Sequence, residues 1–151
     1  MPVYTFSTRN SVRDNKEGGK NKMVKNKIRF FRCKLCGNIV TYLEEGGGTL
    51  FCCGEAMEEL VPNTSDGALE KHVPKLSVNG QSVDVIVGET EHPMSEEHYI
   101  QWIGLLTKKG FSAKWLCPES VPKATFEICE DDMPVAVYAY CNLHGLWKKD
   151  F

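Results

Sequence analysis

No apolar run in this sequence approaches the ~20 residues that a membrane-spanning helix needs. The opening stretch, MPVYTFSTRNSVRDNKEGGKNK, has none of the apolar residues in series that mark a secretory signal. Together these absences predict a cytoplasmic protein. No long helix and no internal repeat can be read from the chain, which leaves short strands as its building material. Histidine is scarce, with four residues in 151. The chain has a single C-x-x-C and no H-x-x-x-H, so the spacing of an ordinary zinc ribbon is incomplete.

Hydrophobic residues make up 42% and charged residues 25%, the composition of a soluble globular protein. The net charge of −2 is unevenly spread: residues 1–27 hold seven Lys and Arg against two Asp and Glu. That stretch is poor in apolar side chains and contains Gly18-Gly19, so it predicts a disordered basic leader, with Met23 as an alternative start. A nucleic-acid-binding arm would need clustered basic charge with aromatic or fold support, which is missing here.

Seven cysteines are abundant by contrast. A reducing compartment keeps thiols free, so metal binding explains them better than a disulfide framework. Residues 28–62 hold Cys33-Lys34-Leu35-Cys36, then Cys52-Cys53 after fifteen intervening residues. Four thiolates make a tetrahedral cage for zinc or iron, and spacing alone leaves both open, along with a vicinal disulfide at Cys52-Cys53. Two ligands from adjacent residues are expected to distort the tetrahedron. Short β-rich runs at Ile28–Arg32, Asn38–Leu43 and Thr49–Phe51 carry too few apolar residues for a core of their own, so a metal is expected to hold them together.

Residues 63–70, NTSDGALE, read as a linker. Beyond it, Leu76, Val78, Val83, Val85 and Val87 alternate around Asn79-Gly80, a strong hairpin signal. His98–Leu106 fits a helix by one spacing and a strand by another; its aromatic and β-branched content favours the strand. Thr125–Ile128 and Val135–Cys141 form another pair around EDDMP. The pattern predicts an all-β fold with an immunoglobulin-like antiparallel sandwich over 71–151. Trp102, Trp115 and the Val, Ile and Tyr rows are expected in its core. Cys117 and Cys129 are expected to be plain reduced thiols.

Three histidines sit at or beside Pro- or Glu-rich turns, in EKHVP (70–74) and EHPMSEEHY (91–99), and the fourth lies in YCNLHG (140–145). With Cys141 they make five potential ligands, one more than structural zinc takes and one short of an octahedron. Such a set leaves one position open for a small molecule.

These residues resemble a known family. EKHVP, EHPM with EEHYIQWI, and YCNLHGLWK are similar to the neelaredoxin-type iron domain of superoxide reductases. FRCKLCGNIV, GGG and FCCGEAM are similar to the desulforedoxin-type domain that precedes it in desulfoferrodoxins. The resemblance covers about residues 28–151 and implies a two-iron superoxide reductase that reduces superoxide to hydrogen peroxide. It makes His72, His92, His98 and His144 equatorial iron ligands and Cys141 the axial thiolate. It makes Cys33, Cys36, Cys52 and Cys53 a rubredoxin-like iron centre. Lys71 would draw in the anion and assist its protonation, and Glu70 would occupy the open position of the oxidised iron. A rubredoxin-type electron donor and a homodimer are implied; no membrane or nucleic-acid partner is. Without the resemblance, Glu70 and Lys71 read as a solvated charge couple. Two other functions compete on the residues alone. A zinc-ribbon module with a nucleic-acid-binding arm leaves the histidines unexplained, and a pure electron carrier leaves the second domain unexplained.

Overall fold

β-Branched residues broken by glycine favour short antiparallel strands, and the computed structural model, which describes residues 27–65 and 67–151, contains little else. The expected basic leader lies outside the described residues apart from Lys27. No helix among the described residues is long and apolar enough to cross a membrane.

Five short strands come first: β1 (Phe30–Arg32), β2 (Ile39–Thr41), β3 (Phe51–Cys52), β4 (Glu55–Ala56) and β5 (Glu58–Leu60). β1 pairs with β2 on one side and β5 on the other, while β3 and β4 form a separate hairpin. Strand β5 is too polar to be read from hydrophobic pattern. Its pairing is supported by Arg29, whose guanidinium donates two hydrogen bonds to the Glu59 carboxylate at 3.0 and 2.6 Å.

A single turn of helix, α1 (Leu69–His72), opens the larger unit. It stops at Val73 because Pro74 disfavours helical backbone in the residue before it. Seven strands follow: β6 (Pro74–Asn79), β7 (Ser82–Val87), β8 (Ile100–Thr107), β9 (Phe111–Trp115), β10 (Lys123–Glu127), β11 (Pro134–Cys141) and β12 (Gly145–Asp150). Sheet β10-β7-β6 packs on sheet β12-β11-β8-β9, all antiparallel, which gives the expected antiparallel sandwich with three strands on four. Asn79 pairs with Ser82, so the hairpin turn is Gly80-Gln81. Gly80 takes φ +62° at the first central position, where a type II′ turn calls for glycine.

Val83, Val85 and Val87 point inward from β7 and meet Phe126, Ile103, Leu105, Val137 and Ala139. The spacing of β8 has a specific cause. The register between β11 and β8 slips at Tyr140 and Cys141, which leaves Gln101 as an extra residue. This bulge turns Ile100, Ile103 and Leu105 to one face, a pattern that fits neither a helical nor a strand period.

The outer face of β8 and β11 forms a second core under the small sheet. Phe30 packs there against Trp102, Phe111 and Tyr138, with ring centroids 5.3–5.6 Å apart. A Cβ on Gly104 would stand 2.4 Å from Phe111 Cζ, so glycine is what lets that ring lie across the strand. Trp102 therefore packs as expected, although on this outer face. Trp115 does not: it is 83% exposed, because β9 is an edge strand with little covering it. Cys117 and Cys129 are exposed free thiols.

Candidate metal centres

Local backbone brings the four cysteines of the small unit together. Cys33 ends a strand, and a tight knuckle follows in which its carbonyl accepts from the Gly37 N–H at 3.0 Å. Cys53-Gly54 are the two central residues of the β3–β4 hairpin, at φ +52° and +83°. Left-handed backbone at both positions is what a type I′ turn requires. The turn folds Cys53 back beside Cys52, and the distortion expected of adjacent ligands is taken up there. Cys36 and Cys52 sulfurs lie 3.6 Å apart and those of Cys52 and Cys53 3.9 Å apart, all as free thiols. The Cys36 backbone N–H, at 3.5 Å from its sulfur, holds the Cys33 thiol down to about 6. Hydrogen bonding to Cys36, then to Cys52 and Cys33, pushes Cys53 up to about 12. Four sulfurs this close cannot all ionise unless a cation is among them, which is the demand a thiolate-bound metal meets.

The second group draws on four separate segments at one end of the sandwich. His72 comes from α1, His92 and His98 from the β7–β8 connection, Cys141 from the end of β11, and His144 from the turn into β12. One ligand atom from each lies within 4.8 Å of all the others. Neighbouring imidazoles are 4.6–4.9 Å apart with planes 71–77° apart, and His72 and His98 face each other at 6.3 Å and 28°. The ratio of these distances is that of a square's diagonal to its side. Four rings thus stand as blades around one centre, with the Cys141 sulfur 3.6 Å from His144 Nδ1.

Hydrogen bonds set the tautomers. His72 Nδ1 donates to the Ala68 carbonyl at 2.8 Å and His92 Nδ1 to the Pro93 carbonyl at 2.6 Å, which turns a lone pair on each Nε2 inward. His92 Nε2 and His98 Nε2 are buried with no partner among the described residues, and buried polar atoms rarely go unpaired. Burial lowers the proton affinity of His72, His92 and His98, and takes His92 to about 4. Neutral, inward-facing imidazoles with orphaned nitrogens fit a bound metal ion. Stripped of metal, the protein should melt at lower temperature as the pH falls from 6.5 to about 4. In that window the unfolded chain protonates at the ordinary histidine value while His92 in the fold does not. Stability then rises with pH across the window and levels off above it; scanning calorimetry of the metal-free protein at pH 4.5 and 7.5 reads the difference.

Asn142 ties two ligand segments together. Its Oδ1 accepts from the Tyr99 N–H at 3.0 Å and its Nδ2 donates to the Glu97 carbonyl at 2.8 Å, so the His98 loop is pinned beside Cys141. Lys71 is exposed, and its charge acts on both His72 and His98. Glu70 is exposed too and lines an open groove with Lys75, Glu89 and Lys149; its carboxylate is not among the converging ligand atoms. Pattern reasoning passed over Asn142 and also Trp147, whose ring stacks on His72 at 4.7 Å. Their one visible signal was position, Asn142 within the YCNLHG motif and Trp147 two residues beyond it.

No ligand atom is shared between the two groups. Cys52→Ser should therefore empty the first centre while the second stays reactive. Metal analysis with a superoxide assay reads both, and loss of reactivity in a folded variant would show the sites to be interdependent.

Comparison with known proteins agrees over nearly the whole described chain. Residues 64–150 match the family model described as desulfoferrodoxin, and residues 25–60 the one described as desulfoferrodoxin, N-terminal domain. Desulfoferrodoxin from Nitratidesulfovibrio vulgaris is 45% identical over 125 residues, covering 83% of this chain and 98% of that protein. Desulfoferrodoxin from Syntrophotalea carbinolica is 44% identical over 124 residues, covering 82% and 97%. The crystal structure of the superoxide reductase from Treponema pallidum superposes with a TM-score of 0.70 at 36% identity, covering 82% of this chain and 99% of that one. With both family models matched in order and both ligand groups assembled, the chain belongs to the desulfoferrodoxin family.

Proposed function

We infer that the protein is a superoxide reductase with two mononuclear iron centres, converting superoxide with one electron and two protons into hydrogen peroxide. The square of four imidazoles with the Cys141 sulfur beside it carries this reading, because five donors would leave a six-coordinate metal room for one small molecule. His72, His92, His98, His144 and Cys141 would hold that iron. Cys33, Cys36, Cys52 and Cys53 would hold the other. Ferrous iron bound there would supply the electron, and the Cys141 thiolate among its donors would favour its release.

The remaining chemistry belongs to the chain. Lys71 attracts the anion by its charge and passes protons towards it, directly or through water. Glu70 would offer its carboxylate to the metal after turnover, which requires α1 to turn it in from the neighbouring groove. The wall of buried side chains keeps bulk water from the thiolate side, where Cys141 is fully buried. The division into residues 28–62, a link at 63–70 and a sandwich over 71–151 follows from the same reading. So do a cytoplasmic location, a rubredoxin-type electron donor and assembly as a homodimer. Free thiols throughout the chain favour a reducing compartment.

Stopped-flow mixing of the ferrous protein with pulsed superoxide, with peroxide counted, tests the activity. A protein that holds zinc at both centres and consumes no superoxide would overturn it. Lys71→Ala should lower the second-order rate about tenfold and weaken its salt dependence, with both centres fully loaded. Lys71→Arg should keep most of the attraction, because the charge survives, and lose proton delivery, because guanidinium is a poor acid. An unchanged rate and salt dependence in Lys71→Ala would return this lysine to the solvated loop.

A further inference from the structure

Trp147 lies on β12, two residues beyond the Gly145 that pairs with Cys141, and is fully buried. Its indole stacks on the His72 imidazole, 4.7 Å between ring centres and 20° between planes. Among the described residues, His72 alone of the four histidines has an aromatic ring other than imidazole against it. Gly67 presses on the same stack. A Cβ there would stand 2.9 Å from Trp147 Cζ2, 3.0 Å from His72 Cε1 and 3.1 Å from His144 Cβ.

The indole N–H is buried without a partner among the described residues. Burial of an unpaired donor is unfavourable, so the ring gains nothing from its nitrogen at this position. What it supplies is a flat face. His72 is also held at its edge, by the bond from Nδ1 to the Ala68 carbonyl at 2.8 Å and by the approach of Nε2 to His144 Nδ1 at 2.9 Å. Two anchors at the ring's edge fix where the nitrogens lie and leave the plane free to tilt about the line through them. A stacked ring removes the tilt. In a square of blades 71–77° apart, tilting one imidazole moves its lone pair off the common centre.

We propose that Trp147, backed by Gly67, is a positioning residue for the five-donor centre: its indole locks the plane of His72 so that Nε2 points at the site. This rests on the reading of that site as the iron centre of a superoxide reductase.

The test uses the full chain loaded with iron, as wild type, Trp147→Phe, Trp147→Leu and Gly67→Ala. Three quantities are read: the thiolate-to-iron absorption band of the oxidised centre, its midpoint potential, and the rate at which a chelator removes the iron. Melting temperature is recorded beside them. Trp147→Leu and Gly67→Ala should shift the band and the potential and lose iron about tenfold faster. Trp147→Phe, which keeps a flat face, should restore wild-type values. A space-filling role alone would lower the melting temperature of Trp147→Leu and leave band, potential and iron loss unchanged, which overturns the proposal. A Phe variant as impaired as the Leu variant overturns the stacking account as well. Should Trp147→Leu fail to fold, Gly67→Ala decides, because it removes no atom from the core. Failure of the superoxide reductase reading would look different, as wild-type protein with no such band and no superoxide consumption.

Discussion

Cys141→Ala is expected to slow superoxide reduction by more than about 100-fold, while the four-cysteine centre should keep its metal and its colour. Losing only a partner of a ligand typically costs about 10–100-fold, and the role proposed for Cys141 is that of a ligand itself. The fold should survive, because Ile100, Val137 and Ala139 pack around the position and a cysteine-to-alanine change removes one atom from that cluster. The four imidazoles remain, so iron can still bind in the plane, now without the anionic sulfur behind it. Cys141→Ser sharpens the comparison, since it keeps the shape and replaces a soft thiolate with a weakly acidic hydroxyl. Rates from stopped-flow, metal content and far-ultraviolet circular dichroism on the same preparations separate loss of chemistry from loss of fold. Retention of a tenth of the wild-type rate in Cys141→Ala would remove the sulfur from the ligand set.

Gly88→Ala is expected to damage both stability and the iron site from outside the ligand set. Gly88 sits at φ +86°, and a Cβ there would lie 2.5 Å from the Thr90 carbonyl oxygen and 2.6 Å from that of Lys71. Both are backbone atoms and cannot swing aside. Left-handed backbone at alanine costs about 1–2 kcal/mol, and forcing packed atoms apart adds about 1–3 kcal/mol. In a chain of this size each kcal/mol moves the melting temperature by about 2–4 °C. The strain falls on the contact that seats α1, where the Glu89 and Thr90 N–H groups donate to the Glu70 carbonyl. His72 and Lys71 ride on that helix, so the superoxide rate should fall together with the melting temperature. Gly110→Ala is the control. Its Cβ would meet nothing within 4 Å, and its effect should be near zero on both measurements. Equal behaviour of the two variants would show that the Gly88 contact does not seat the helix.

Much of this protein was legible in order of residues alone. All nine side chains of the two ligand groups, and the hairpin at Gly80, could be picked out from residue type and local spacing. Ligand chemistry is a property of the side chain itself, so scarcity and clustering of Cys and His expose it whatever the fold. Strand alternation is a property of a few consecutive residues, and Val83, Val85 and Val87 display it fully.

Features that depend on distant partners were not legible. The two faces of β8 are set by a bulge that exists only against β11, and β5 is a strand because β1 lies beside it. Trp115 looked like core and is exposed, because nothing in its own neighbourhood says that β9 has no strand on its far side. Adjacent cysteines looked strained, and the left-handed turn at Cys53-Gly54 resolves them. The sequence determined which atoms could bind metal. Only the tertiary structure decided that four imidazoles from three separate segments form a square with one sulfur behind it, since their angles come from loops braced by Asn142, Gly88 and Trp147 across the end of the sandwich.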